Sequence, residues 1–254
     1  MQSLPPTPTS QPGDNNVRKI TGPQILVFLV YFAVIVALAL GSTWVLLGSL
    51  PLGDFRGVVM TVGACVLVYL FGFAVYRIFL LVTPLETGEL APGSKGEFAA
   101  QVNILFYLML FNSLTRTHFL PFPMLRLVHL ALGARLGPNT FGGVILDPPL
   151  TSVGGNCIIG HDAVLFAHAI EGSRFSLARI EIGDNVTIGA MAVVMSDVKI
   201  GDGAIVSAGA VVRKGTRIGV GEVWGGVPAR LLKSAGGDGA APCSGGGQTA
   251  RGGG

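Results

Sequence analysis

Charge is what this chain lacks most. Only 12% of its 254 residues are charged, while 50% are hydrophobic. The net charge is +3, and the basic residues are scattered. No basic patch forms, so nucleic acid is not an expected partner. Cysteine is also scarce. Cys65, Cys157 and Cys243 lie far apart in sequence, which leaves neither a disulfide framework nor metal-finger spacing and fits a reducing compartment. Between Lys19 and Asp54 there is no charged residue at all. A composition this apolar excludes an ordinary soluble domain and points to membrane segments.

Ile25 to Leu47 is almost continuously apolar, long enough for the ~30 Å hydrocarbon core that needs about 20 residues. A signal peptide is the competing reading. The run is too long for one, and a second span, Val58 to Leu81, follows a short turn at 51–56. Arg77 near the end of that span is expected to snorkel to the interface. Arg18 and Lys19 precede the first span, Arg77 and Lys95 lie at or after the second, and only Arg56 lies between. This distribution predicts a multi-pass protein of a bacterial-type inner membrane with both termini cytoplasmic.

The expected organisation follows in order. Residues 1–17, rich in Pro, Thr, Ser, Gln and Asn, form a disordered N-terminus. Residues 18–83 form the two-helix anchor. Residues 84–135 connect it, with Phe98 to Leu114 as a helix lying in the interface or packing beside the spans and Met124 to Leu132 as a second short helix. Residues 136–233 form the repeat domain, and 234–254 a disordered Gly-rich tail. His118 and His129 are read as interfacial and structural.

The repeat domain is organised around Ile182 to Lys233. Counted in sixes, the first positions are Ile182, Ile188, Val194, Ile200, Val206, Val212, Ile218 and Trp224, seven of the eight β-branched. Glycine is frequent at the second position, and the fifth is small or short, as at Val186, Ala192, Ala204 and Ala210. A period of six matches neither an amphipathic helix nor an alternating strand. It is the signature of a β-helix, with one hexad per face of a three-sided coil. First residues stack inward, fifth residues fill tight corners, and glycine permits close approach. The expected fold is mainly β: a left-handed parallel β-helix of about five coils, preceded by two transmembrane helices and an interfacial helical segment. An earlier phase shows at Val153, Ile159 and Leu165, with Cys157, Ala163 and Ala169 fifth. The step from Leu165 to Ile182 falls one short of three hexads, so the register breaks there, and Glu171 to Arg179 reads as a loop thrown out of the coil.

Two histidines lie in the repeat. His168 stands directly before that loop, where a wall beside an imidazole makes a site able to take a proton from an incoming hydroxyl or amine. Turn N–H groups are available for an oxyanion. His161 has no such wall and is the weaker candidate. Either histidine also reads as an ordinary surface residue.

The run Ile-Gly-Asp-Asn-Val-Thr-Ile-Gly-Ala-Met-Ala-Val-Val from Ile182, closing at Trp224-Gly225-Gly226-Val227-Pro228-Ala229-Arg230, resembles the hexapeptide-repeat acyltransferases. The segment from Asp147 to Arg179, with Glu171 and Arg174 spaced as Glu-x-x-Arg, resembles a membrane-linked branch that includes the acyltransferase-like C-terminal domains of poly-amino-acid synthetases. The resemblance covers about 84–233. It implies a homotrimer with sites between subunits, acyl-CoA (acetyl-CoA foremost) as co-substrate, no metal, and His168 as general base. Where several relatives have Asn before that histidine, this chain has Ala167. By the same resemblance CoA would lie along Ala190, Ala208 and Gly209, with Arg213, Lys214, Arg230 or Lys233 near its phosphates. Asp147 precedes His168 by slightly more than the three hexads of a full turn, and it orients the histidine if it lies one coil below. Glu171, Arg174 and Arg179 bind the acceptor or make loop salt bridges.

The leading expectation is a membrane-anchored acyltransferase acting on a hydroxyl or amine of a small-molecule or lipid-linked acceptor. A close variant takes its acyl group from a carrier protein. Two other classes stay open: a non-catalytic trimeric scaffold with a membrane anchor, and a γ-carbonic-anhydrase-like metal enzyme, for which the repeat offers two histidines where three are needed.

Overall fold

The structure is a computed structural model, and it describes residues 20–117 and 120–235. The expectations for 1–17, for His118, for Cys243 and for the tail beyond Ala235 lie outside those residues. The chain starts with helices: α1 (Gly22–Leu47), α2 (Arg56–Val82), α3 (Lys95–Phe106), α4 (Asn112–Arg116) and α5 (Phe122–Ala131). A π-helical turn, Tyr107–Phe111, joins α3 to α4. After α5 the described chain is mainly short β-strands and turns.

Three helical segments are long and apolar enough to cross a membrane: Gly22–Leu47, Gly53–Val82 and Lys95–Arg116. They differ in what they cover. The apolar windows of the first two are only 17% and 6% buried, whereas that of the third is 61% buried. The third packs beside the other two through aromatic rings. Phe106 meets Phe28 edge-on at 5.4 Å, and Phe111 stacks on Phe73 at 5.1 Å. Tyr76 donates to Asn103 Oδ1 at 2.6 Å, which gives a buried amide a partner inside this apolar cluster. The start of α3 is capped by Ser94, whose Oγ accepts from Glu97 N at 3.1 Å. Glu97 reaches back to accept from Gly93 N at 2.6 Å, one residue beyond the usual reciprocal partner, the N-cap N–H. Ala100 on α3 belongs to the β core while Val102 and Phe106 belong to the helical one, so α3 is the joint between the two.

The β part is a three-faced parallel coil. Thr187–Ile188, Ile205–Val206 and Val223–Gly225 stack on one face. Val193–Val194 and Val211–Val212 stack on the next. Ile180–Ile182, Lys199–Ile200 and Arg217–Ile218 stack on the third, which Thr151–Val153 and Arg135–Leu136 extend to five strands. In the later coils each strand pairs with the one three hexads on, as Ile188 does with Val206, so one turn of the coil is three hexads. Ile188, Val194, Val206 and Val212 are buried, and so are the fifth-position Val186, Ala192, Val198, Ala204 and Ala210. The last strand, Arg230–Lys233, turns back antiparallel on Val223–Gly225 and closes the stack.

Each hexad also has a second conformational rule. Its fourth residue has positive φ: Asn185, Met191, Asp197, Gly203, Gly209, Gly215 and Gly221. Asn139, Asn156 and Asp162 take the same place in the earlier coils. This corner column is where Gly, Asn and Asp are most readily accommodated. The second-position glycines do a different job. A Cβ on Gly189 would sit 2.3 Å from Ala208 N of the next coil, so there the requirement is close approach rather than a left-handed backbone.

The register of the first coils differs from the sequence expectation. Leu165 pairs with Val194, not with a residue on the face of Ile182, and Val153 pairs with Ile182. Both steps are longer than three hexads by the same amount, because the hairpin is inserted within each of them. The excursion is also more ordered than a loop. His168–Glu171 and Arg174–Leu177 form an antiparallel hairpin, turning at Gly172 (φ +62°) and Ser173, and Gly88–Glu89 adds a third strand. Phe175 and Leu177 root it in the coil core.

Candidate active site

The site forms where the chain leaves the coil. Phe166 N still bonds to Val194 O at 3.1 Å, and two residues later His168 begins the hairpin. Below it, the strand Phe141–Ile145 ends and Asp147 precedes Pro148 and Pro149. A proline disfavours the helical region for the residue before it, and Asp147 lies outside that region at φ −120°, ψ 72°. Thr151 Oγ1 donates to Asp147 O at 3.0 Å and closes the turn.

Asp147 and His168 meet because the coils are unequal. Gly142 pairs with Ile159 and Val144 with Val164, so two steps on the lower strand match five on the upper. Beyond that bulge Ile145 pairs with Leu165, and Asp147 comes to lie under Ala167 and His168. Asp147 Oδ2 accepts from His168 Nδ1 at 2.6 Å, from Ala167 N at 2.8 Å and from His168 N at 3.2 Å. The Asp147 carboxylate is 2% exposed and the imidazole 24%. Two backbone donors and one ring donor thus hold one buried oxygen. Burial pulls the His168 pKa down, but the hydrogen bond and charge of Asp147 outweigh it, and the net shift is upward from 6.5. With Nδ1–H committed to Asp147, Nε2 is the nitrogen free for chemistry. The Phe166 ring flanks the imidazole at 5.7 Å.

The other candidate residues are dispersed. Glu171 is three residues along the strand of His168, but its carboxylate is engaged by Lys214 at 3.3 Å. Lys214 also bonds Ser176 Oγ at 3.0 Å. Lys214 therefore ties the hairpin to a later coil. Arg174 pairs with Glu89 at 3.6 Å, at the exposed end of the hairpin. For Glu171 and Arg174 the structure thus shows loop salt bridges. Arg179 lies past the hairpin and lines a separate cavity with Arg77 and Arg135.

Ala190, Ala208 and Gly209 share one corner, since Gly209 N bonds to Ala190 O at 2.8 Å. His161 belongs to that corner too, because its carbonyl accepts from Met191 N at 2.8 Å. Arg213 follows the next face, near the corner of His168, and Arg230 and Lys233 lie on the closing strand. Within one chain these residues do not converge on His168. Among the described residues no group of three His, Cys, Asp or Glu side chains forms a metal cluster. His129, read from the sequence as interfacial and structural, is turned inward. It is buried against the coil with Nε2 3.4 Å from Gly143 O, and burial pushes its pKa down to about 4. Three features had no signal in the sequence: the Lys214 tether, the Glu89 strand that braces the hairpin, and the arrival of Arg77 and Arg135 beside Arg179.

Residues 179–214 match the family model described as bacterial transferase hexapeptide (six repeats). A comparison with curated proteins finds no match. Among solved structures, the chain is similar to a hexapeptide-repeat-containing acetyltransferase of Vibrio cholerae O1 biovar eltor complexed with acetyl coenzyme A. The identity is 28% and the TM-score 0.37, over 40% of this chain and 60% of that one. A galactoside acetyltransferase in complex with coenzyme A is 19% identical, with a TM-score of 0.41 over 58% of this chain and 86% of that one. A maltose O-acetyltransferase from Clostridium difficile 630 is 17% identical, with a TM-score of 0.41 over 59% and 93%. This chain spans less than two thirds of the Vibrio protein's length. Residues 179–214, the stretch that matches the bacterial transferase hexapeptide model, are folded here as successive faces of a parallel coil.

Proposed function

We propose that this protein is a membrane-anchored acyltransferase that moves an acyl group from a CoA thioester to a hydroxyl or amine. The observation that carries this reading is the Asp147–His168 pair, a 2.6 Å contact on a buried carboxylate beside an open imidazole edge. A histidine held in one tautomer at a partly exposed corner suits proton abstraction. Nε2 takes the proton of the acceptor as its oxygen or nitrogen attacks the thioester carbonyl. The resulting imidazolium is stabilised by Asp147, and its proton goes to the departing thiolate as the tetrahedral intermediate collapses. The CoA donor is the co-substrate that the hexapeptide-repeat resemblance implies, and the coil is read as left-handed on the same ground. A homotrimer fits the dispersal of the residues named for CoA. Ala190, Ala208 and Gly209 of a neighbouring subunit would face the His168 corner that they do not reach within one chain.

The anchor rests on α1 and α2. Leu26, Val30, Leu40, Val45, Val62, Leu70, Leu81 and Val82 are all more than half exposed, a surface that water would penalise and lipid would not. The catalytic coil then sits on the cytoplasmic side of an inner membrane, close to a lipid-linked or membrane-proximal acceptor. The test is acyl-CoA turnover by the full chain in detergent against a panel of hydroxyl and amine acceptors, wild type beside His168→Ala. Loss of turnover with CoA binding retained supports the assignment. Equal turnover removes His168 from the reaction, and absence of CoA binding in both proteins favours a carrier-protein donor or a scaffold.

A further inference from the structure

Where α2 ends, a cavity of about 390 Å³ opens between the helices and the first coil. Three arginines line it: Arg77 from the last turns of α2, Arg135 from the first strand of the five-stranded face, and Arg179 from the chain just after the hairpin. No acidic residue lines this cavity, and none of the three guanidinium groups has a hydrogen bond or ion pair among the described residues. Arg135 and Arg179 extend into a smaller adjoining pocket that does contain Glu181. Its carboxylate is held by Lys199 at 2.7 Å.

Three like charges gathered without a counterion repel one another, and that cost is relieved by an anion. The local backbone makes room for them. Gly133 has φ +103°, a conformation that calls for glycine, and its missing Cβ leaves Arg77 Nη1 room, since a Cβ there would lie 2.6 Å from that atom. Other lining residues include Leu80 and Leu81 of α2 and Pro149 of the first coil. The cavity therefore lies at the level where the apolar helix stops, which in a bilayer is the headgroup layer. Planar guanidinium forks match phosphate oxygens in pairs.

We propose that the Arg77–Arg135–Arg179 cavity binds the phosphate of an anionic lipid headgroup. This rests on the membrane reading of α1 and α2. It adds a ligand that hydrophobicity alone does not select. It also bears on the candidate site, because Pro149 stands two residues from Asp147, and Leu177, the cross-strand partner of His168, stands two residues before Arg179. A lipid phosphate seated there holds its headgroup beside the turn that carries Asp147.

The full chain in detergent is titrated with dihexanoyl phosphatidic acid, dihexanoyl phosphatidylcholine and inorganic phosphate, with bound ligand read by native mass spectrometry. The expected result is saturable binding of phosphatidic acid at least about tenfold tighter than the other two. The double variant R135Q/R179Q should lose about tenfold in that affinity, while R217Q, a charge-matched change at an arginine already paired with Asp197, should bind as wild type. The lipid preference of the wild-type chain stands as a test even if the double variant is unstable. Inorganic phosphate binding as tightly as phosphatidic acid would overturn the lipid assignment in favour of a soluble phosphate. Equal affinity in wild type and R135Q/R179Q would overturn the site. Flotation with pure phosphatidylcholine vesicles separates this from the anchor. Failure to float refutes the membrane reading, whereas flotation without any headgroup preference in the titration refutes only this proposal.

Discussion

Replacing Asp147 by Asn tests the proposed reaction most directly, because it changes one charge and almost no volume. In the wild type, Oδ2 receives three N–H groups at 2.6, 2.8 and 3.2 Å. An amide oxygen placed there still accepts hydrogen bonds but carries no charge, and hydrogen bonds to charged groups are worth about 1.5–3 kcal/mol against about 1 for neutral ones. Losing the difference, roughly 0.5–2 kcal/mol of imidazolium stabilisation, lowers kcat by about 2- to 30-fold, at about 1.36 kcal/mol per decade. The pH profile should move as well. In the wild type the His168 pKa is raised, so kcat/KM falls on the acid side with a midpoint above 6.5. In D147N the two raising influences are weakened while burial, which lowers the value, remains. The acid limb should therefore shift to lower pH as the plateau drops. The assay is thiol release from acyl-CoA between pH 5 and 9, with near-ultraviolet circular dichroism to show that the variant is folded. A folded D147N with wild-type kcat and an unmoved acid limb would refute the reasoning that Asp147 tunes a catalytic His168.

The same pair sets a stability trend, since a raised histidine pKa contributes stability that is complete below about pH 6.5 and is lost as pH rises through the folded value. The alkaline loss of thermal stability between wild type and H168Q should differ in that window. His129 acts in the opposite direction. Its pKa is depressed to about 4, so its contribution is intact above 6.5 and is lost as pH falls toward 4, by about 3 kcal/mol at most. H129L should flatten that acid loss in a denaturation series, and an unchanged slope would show that His129 is solvated. Met191 has φ +58° and a 67% exposed side chain, so M191G should stabilise the coil by up to about 1 kcal/mol, read as a higher midpoint in urea. A192L, at a fully buried fifth position, should cost about 1–3 kcal/mol by overpacking. K214M should leave global stability within about 0.5 kcal/mol, because the Glu171 pair is largely exposed, yet speed amide exchange in the hairpin 168–177. Unchanged exchange would mean that the core residues Phe175 and Leu177 hold the hairpin without the tether.

The sequence by itself determined the regular parts, because they follow from local rules repeated many times. A period of six with β-branched first positions has one good packing solution, and Ile188, Val194 and Val206 are buried as that solution requires. Two long apolar runs become two long helices for an equally local reason, the need to satisfy backbone hydrogen bonds within an apolar segment. The position of His168 beside an interruption was legible too, since a broken period marks where chain leaves the coil.

What only the tertiary structure decided lies where one coil differs from the next. That Asp147 falls under His168 depends on the extra length that Ile159 to Val164 carries over Gly142 to Val144, and a count along the chain cannot distinguish that bulge from a mismatch. The next same-face partner of Leu165 is Val194 because a hairpin stands between, and its length cannot be read from the period it interrupts. The column of positive φ at the fourth position was present in the sequence as Asn185, Asp197 and four glycines, but Met191 concealed it. Arg77, Arg135 and Arg179 belong to a helix, a first coil and the end of a hairpin. Nothing local relates these three elements, and only the packing of the helices against the coil brings their charges to one cavity.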